Sequence, residues 1–271
     1  MPAGATTGGR LSDDHALLVA AVRAAGARAL ADFGRDVEHW EKRPGQPVSA
    51  ADIAVDRLLE DRLRGARPDY GWLSEEGVDD GARLAVRRLW IVDPIDGTRA
   101  FLAGLPEFSV SAALVEDGVP LAGAVFNPAT GELFEAFRGG GTRCNGANLR
   151  VSARAGIRGA RLVLSRTEMR RAGWQRALAG ARTDAISSTA YKLALVAAGR
   201  FDATATLWPK HEWDAAAGDV IVREAGGRVS DAAGAALVYN RPQPRIASLV
   251  AAGPRLHARL CAHFAAPRSG R

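Results

Sequence analysis

Cysteine is nearly absent from this 271-residue chain: Cys144 and Cys261 are the two. Two thiols so far apart in sequence cannot build a disulfide scaffold, and free thiols in a cytoplasmic protein are the expectation. No run of about 18 apolar residues occurs, so no helical membrane span is expected. Met1 to Arg10 is small and Gly-rich and lacks an apolar stretch, so a secretory signal is not expected either. Aromatic residues make up only 6%, too few to interleave with basic runs as a single-strand-binding surface requires. Lysine is scarcest of the charged types: Lys42, Lys192 and Lys210 stand against 33 arginines (36 basic residues less three). Where arginine is the default cation, a lysine marks a place that wants a compact point charge.

What is present describes a folded, charged, water-soluble type of chain. It is 47% hydrophobic and 24% charged, enough to bury a sizeable core. Its length fits one large domain or two intimate ones. The net charge is +6, but the arginines are scattered, and pairs such as Arg87–Arg88 and Arg170–Arg171 are isolated. That is not the footprint of a nucleic-acid polymer binder. A modest positive field does help to collect a small anionic substrate.

Periodicity predicts helices over Asp13–Phe33, Ser49–Leu63, Glu168–Ala179, Thr189–Ala198, Asp214–Ala225 and Arg255–Phe264. Strands are predicted near Ser74, over Leu89–Val92, Ser109–Val115, Val119–Phe126, Glu132–Ala136, Leu162–Ser165, Phe201–Thr206 and Ile246–Ala251. Lys42–Val48, with Pro44, Gly45 and Pro47, reads as a loop. The expected organisation is α/β. A disordered tail over 1–11 precedes an α+β half over 12–155, and an α/β half over 156–271 follows.

Three acidic motifs carry the chemistry. Asp93-Pro94-Ile95-Asp96-Gly97-Thr98 follows an apolar strand. It sets two carboxylates three residues apart beside a glycine and a threonine. Glu75-Glu76 ends another strand, and Trp213-Asp214-Ala215-Ala216-Ala217-Gly218 opens a helix rich in small residues. Clustered carboxylates suit hard divalent cations, and a helix start suits a phosphate. Taken singly, each motif also reads as a turn or a cap. No histidine or cysteine is placed by sequence as a nucleophile. His211 reads as a loop residue and Cys144 as inert.

In their order and spacing, the three motifs resemble the signatures of the inositol monophosphatase superfamily. The resemblance spans about Ser12 to Phe264. It implies a layered α/β/α/β/α sandwich of the sugar-phosphatase type and a Mg²⁺-dependent, lithium-inhibited phosphomonoesterase. It also implies two or three ions, with possible inhibition by Ca²⁺. Carried over by position, Glu75, Asp93, Asp96, Asp214 and the Ile95 carbonyl become metal ligands. Thr98 and Glu75 become the pair that orients and deprotonates the attacking water, and Asp52 becomes the acceptor that holds Thr98. The backbone amides of Gly97 and Thr98 become the phosphate cradle.

Other residues bear on the substrate. The glutamate that inositol phosphatases usually carry a few residues before Trp-Asp is missing from Phe201–Leu207. Thr206 lies about where it would fall, and Glu212 is too close to Trp213 to serve. Ser187-Ser188-Thr189-Ala190-Tyr191-Lys192 and Asp96-Gly97-Thr98-Arg99-Ala100-Phe101 resemble the CysQ-type bisphosphate nucleotidase branch. That resemblance implies 3′-phosphoadenosine 5′-phosphate as substrate. Lys192 or Lys210 would meet the second phosphate at the mouth, Ser188 and Thr189 would hold the nucleotide, and the Lys42 loop would lie over the site. The Arg143-Cys144-Asn145-Gly146 turn instead resembles the inositol-phosphatase pattern, which keeps inositol, sugar or histidinol phosphates as alternatives, with a non-catalytic phosphate-binding relative behind them. The expected partner is a small phosphate ester, with no nucleic acid and no membrane, and the expected state is a monomer or homodimer.

Overall fold

Side chains alternate along β4 (Arg88–Asp96), and that alternation sets the layer order. Trp90 and Val92 face one way, into a cluster with Leu18, Val22, Val55 and Leu59 of two long helices. Leu89 and Ile91 face the other way, into a cluster with Leu193, Val220 and Ile221 of two shorter ones. A strand buried on both faces needs this near-continuous apolar run.

The computed structural model describes residues 7–170, 178 and 180–265. The outer helices are α1 (Thr7–Asp32) and α2 (Ala50–Ala66). They cover a seven-stranded sheet ordered β3-β4-β5-β6-β7-β8-β9. Its strands are β3 (Gly71–Ser74), β4, β5 (Ser109–Glu116), β6 (Val119–Asn127), β7 (Glu132–Phe137), β8 (Gly141–Cys144) and β9 (Ala147–Asn148). β3 and β4 are parallel and the remaining pairs antiparallel. On the far face lie α5 (Thr189–Ala197) and α6 (Ala216–Glu224). A Cβ on Gly123 of β6 would stand 2.7 Å from the Ala217 carbonyl, so only glycine lets α6 pack this closely.

A second sheet closes over these helices, ordered β11-β10-β12-β16-β14. Its strands are β10 (Arg161–Leu164), β11 (Arg182–Ala185), β12 (Ala203–Thr206), β14 (Arg228–Ser230) and β16 (Leu249–Ala252). Leu249 and Ala251 point inward to α5 and α6. Val250 and Ala252 point outward to Leu256 and Leu260 of α7 (Pro254–Ala265). The result is the α/β/α/β/α sandwich.

Some local expectations change. α1 begins at Thr7, inside the stretch expected to be a tail. The loop expected around Lys42 is a hairpin, β1 (His39–Arg43) with β2 (Gln46–Ser49), turning at Gly45, whose φ is +73°. Proline is tolerated there because a two-stranded ribbon needs few ladder donors. Arg166–Met169 forms the single turn α4, and much of the helix expected to follow it lies outside the described residues. β11, β14 and the short pair β13 (Lys210–His211) with β15 (Arg245–Ile246) are additional; their segments are too short or polar to show a period.

Candidate active site

The end of β4 is the foundation of the site. Asp93 pairs with Ser111 and Asp96 with Ser109 of β5, and the register shifts between them. This irregularity takes up Pro94 and Ile95 and turns both carboxylates toward one place. Gly97 then adopts φ +100°, and a Cβ on it would meet the Glu107 carbonyl at 2.9 Å. The chain enters α3 (Thr98–Leu102), whose first amides have no intrahelical acceptor.

Asp214 arrives from the start of α6, where its Oδ2 accepts the His211 amide at 2.9 Å. Asp93, Asp96 and Asp214 each place one carboxylate oxygen within 4.8 Å of the others. Glu75 follows β3, and its amide donates to the Val92 carbonyl at 3.3 Å, one residue before Asp93. Asp93 is 1% exposed, and neither of its oxygens has a hydrogen-bond partner among the described residues. A buried, unpaired carboxylate is costly unless a cation meets it, so this donor set fits hard divalent ions.

The electrostatics agree. Burial, then the charges of Glu75, Asp96 and Asp214, hold the Asp93 carboxyl well above the ordinary range. Burial and Asp214 push Asp96 up to about 6, against the hydrogen bonds from Ala190 and Ser188. Burial pushes Glu75 up to about 7, with Lys42 opposing and Asp214 and Glu76 adding. Such groups shed protons when cations bind.

Thr98 is held from below. Its Oγ1 lies 2.9 Å from Asp52 Oδ1 and 3.1 Å from the Ile95 carbonyl. Asp52, 1% exposed, is locked by the capping box of α2: its Oδ2 accepts the Ser49 amide at 2.8 Å and the Ser49 hydroxyl at 2.5 Å. The sequence Ser49-Ala50-Ala51-Asp52 thus both starts a helix and aims a carboxylate at the site.

These groups open onto a cavity of about 620 Å³, lined by Glu75, Asp96, Gly97, Thr98, Thr189, Lys210 and Asp214 among others. Arg99, Arg166, Arg170, Thr206, Glu168 and His211 also line it. His211 stacks on Trp213 with ring centroids 4.5 Å apart. Lys42 sits above, its Nζ 3.0 Å from Glu75 and 2.7 Å from Glu76. Arg99 donates to the Gly45 carbonyl, so the β1–β2 hairpin is clasped at two points.

Two expectations about the substrate residues are corrected. Lys192 is not at the mouth. It is 3% exposed, does not line the cavity, and donates to the Ile186 carbonyl at 3.3 Å. Helix α5 is buried along its whole length, so its lysine points into the interior. Ser188 is also turned away from a nucleotide: fully buried, its hydroxyl donates to Asp96 Oδ2 at 2.7 Å and caps the Tyr191 amide at 2.9 Å. Glu212 is fully buried and accepts the Asn240 and Arg241 amides, a structural role. Both cysteines are free, and burial raises the Cys144 thiol.

Sequence reading missed Ser165–Glu168. Its Ser-x-x-Glu capping box was the available signal. Glu107 grips Arg166 at its mouth, one oxygen 2.7 Å away.

Comparison with known proteins agrees with this geometry. The model of the inositol monophosphatase family matches residues 11–267. An inositol-1-monophosphatase of Rhizobium meliloti is 40% identical over 233 residues, covering 80% of this chain and 85% of that protein. A protein of Xylella fastidiosa named Nus factor SuhB is 38% identical over 229 residues, covering 81% and 82%. Among solved structures, the suhB protein of Bartonella henselae superposes with a TM-score of 0.78 at 31% identity, covering 93% of this chain and 98% of that one. Thermotoga maritima IMPase gives 0.75 at 32%, covering 91% and 94%. The family match runs from α1 through the acidic cluster to α7, and the chain belongs to the inositol monophosphatase family, a family of generally metal-dependent phosphatases.

Proposed function

We propose that this protein is a Mg²⁺-dependent phosphomonoesterase whose substrate is the phosphate of a small polyol, inositol 1-phosphate being the first to try. The observation that carries the reading is the Thr98 hydroxyl, anchored by buried Asp52 beside Asp93, Asp96 and Asp214. Asp93, Asp96, Asp214, Glu75 and the Ile95 carbonyl would hold the ions. Bound divalent ions supply Lewis acidity toward water and the phosphoryl oxygens.

The chain's own groups do the rest. Asp52 fixes the Thr98 hydroxyl, which with the Glu75 carboxylate orients the attacking water and takes its proton. The amides of Gly97 and Thr98 hold the phosphate oxygens. Arg99, Arg166, Arg170 and Lys210 line the approach and favour an anion. Glu168 also lines the cavity, and a carboxylate there is an acceptor for a substrate hydroxyl. The name of the relative from Rhizobium meliloti, an inositol-1-monophosphatase, supports a polyol.

The four cationic side chains favour a second reading, 3′-phosphoadenosine 5′-phosphate, in which Lys210 and the arginines receive the second phosphate. The burial of Lys192 removes one of the features that pointed there. The test is phosphate release with Mg²⁺ from the two substrates at matched concentration. A kcat/KM ratio favouring inositol phosphate supports the first reading, and one favouring the nucleotide replaces it with the second. Turnover of neither, or turnover that survives a chelator, overturns both. A cytoplasmic enzyme, monomeric or homodimeric and inhibited by millimolar lithium, goes with either reading.

A further inference from the structure

Among the cations that line the cavity, Arg166 is held at one edge and open at the other. It opens α4, and its Nη1 and Nη2 both donate to the Glu107 carboxylate, Nη2 to Oε1 at 2.7 Å. Nη1 also donates to the Ser187 hydroxyl at 3.1 Å. A guanidinium carries five N–H protons in a flat fork. The end of this fork is taken. The Nε proton and the second Nη2 proton lie side by side on the other edge, with no hydrogen-bond partner among the described residues. Arg99, by contrast, is drawn away to the Gly45 carbonyl of the hairpin. Glu107 lies in the link from α3 to β5. Its Oε2 accepts the Ser187 amide at 3.2 Å, and its backbone carbonyl accepts the Ser188 amide at 3.1 Å. That carbonyl is also the atom a Cβ on Gly97 would meet at 2.9 Å. One residue therefore touches the turn of the phosphate cradle, the start of α5 and the guanidinium of α4.

We propose that Arg166 is a specificity-determining residue whose free Nε–Nη2 edge takes two neighbouring oxygens of the substrate's leaving group, and that Glu107 is the positioning residue that aims it. The proposal rests on the phosphomonoesterase reading above and names what that enzyme requires beyond the reacting phosphate. A vicinal diol offers two neighbouring oxygens, and so does a second phosphate. A lysine would bring the charge without the edge. Because Glu107 and Ser187 already fix the guanidinium, it loses little freedom when the leaving group arrives. Hydrogen bonds from a charged donor, made in pairs, are the strong kind. Losing this pair is expected to lower kcat/KM about ten- to a hundredfold.

The test is steady-state phosphate release with Mg²⁺ from inositol 1-phosphate, 3′-phosphoadenosine 5′-phosphate and cyclohexyl phosphate, whose ring bears no oxygen beyond its phosphate. The full chain is compared with its Arg166→Met, Arg166→Lys and Glu107→Gln variants. The readout is the ratio of kcat/KM for each oxygen-bearing ester to that for cyclohexyl phosphate, so a general loss of activity cancels. Arg166→Met and Arg166→Lys are both expected to lower the ratio about tenfold or more, and the ester that shows the fall names the source of the oxygens. Glu107→Gln should lower it less, mainly through KM, because glutamine keeps one acceptor for the fork. A ratio that falls less than about threefold in Arg166→Met overturns the proposal. A ratio restored by Arg166→Lys also overturns it, since charge alone would then suffice. An unchanged ratio in Glu107→Gln overturns the role of Glu107. A wild-type chain that releases phosphate from none of the esters refutes the phosphatase reading and the proposal with it, a result seen before any variant is compared.

Discussion

Replacing Asp52 by asparagine tests how Thr98 is prepared. In the wild-type chain Asp52 accepts three bonds, two from Ser49 on Oδ2 and one from Thr98 on Oδ1. Asparagine has one acceptor oxygen and one amide. If the oxygen stays with Ser49, the amide points at Thr98 and turns its hydroxyl from a donor toward Asp52 into an acceptor. The hydroxyl proton then goes to the Ile95 carbonyl, 3.1 Å away. If the oxygen stays with Thr98, the amide faces the Ser49 N–H and the cap of α2 is broken. The first arrangement costs less, because the second leaves two buried donors opposed. Losing one charge-assisted bond at a site 1% exposed costs about 1–3 kcal/mol of stability. Disturbing a proton-handling group typically costs about 10²–10⁴ in rate. Asp52→Asn should therefore unfold at moderately lower denaturant and show kcat reduced at least a hundredfold, with KM changed little.

The control is Ser49→Ala, which removes the cap hydroxyl at about 0.5–2 kcal/mol but leaves Thr98 on Asp52. It should keep most of kcat. The assay is steady-state phosphate release beside urea unfolding of the same preparations. If Asp52→Asn keeps more than about a third of wild-type kcat, or if Ser49→Ala loses as much as Asp52→Asn, Asp52 is only a helix cap and the reasoning fails.

Two further predictions concern the carboxylates. Asp93→Asn should abolish turnover and yet stabilise the metal-free protein, by about 1–3 kcal/mol at pH 8, because it removes a buried carboxylate with no partner. A carboxyl whose folded pKa is raised contributes stability below its unfolded pKa that is lost as pH rises through the folded value. The gain should therefore be larger at pH 8 than at pH 5, and thermal unfolding at the two values decides it. Divalent-ion binding should release protons between pH 5 and 7, since Asp96 and Glu75 hold theirs up to about 6 and about 7. Calorimetry in two buffers of different ionisation enthalpy counts the protons, and no release at pH 6 would contradict the assignment.

Most of the main chain's plan was legible from periodicity. The unbroken apolar run over Leu89–Val92 named a buried strand, and the structure buries it on both faces. The three acidic motifs were legible because each joins an ordinary element boundary to a residue type that boundary does not need. The hairpin around Lys42 was hidden because its proline and glycine content imitates a loop, and its pairing depends on a strand partner only a few residues away. The extent of α1 was hidden because Thr7–Arg10 carries no apolar signal.

By itself the sequence singled out the carboxylates that the fold brings together, Asp93, Asp96 and Asp214, since chemistry follows residue type and spacing within one motif. It said that Asp93 follows the end of one strand, that Asp96 stands three residues on, and that Asp52 lies in the first turn of one helix. Only the tertiary structure decided what each substrate-side residue faces. Lys192 and Lys210 look alike in sequence, both beside a motif. The packing of α5 between two sheets buries the first, and the edge pair β13–β15 leaves the second on the cavity. Direction depends on how layers more than a hundred residues apart come together, and no local pattern of the chain encodes that distance.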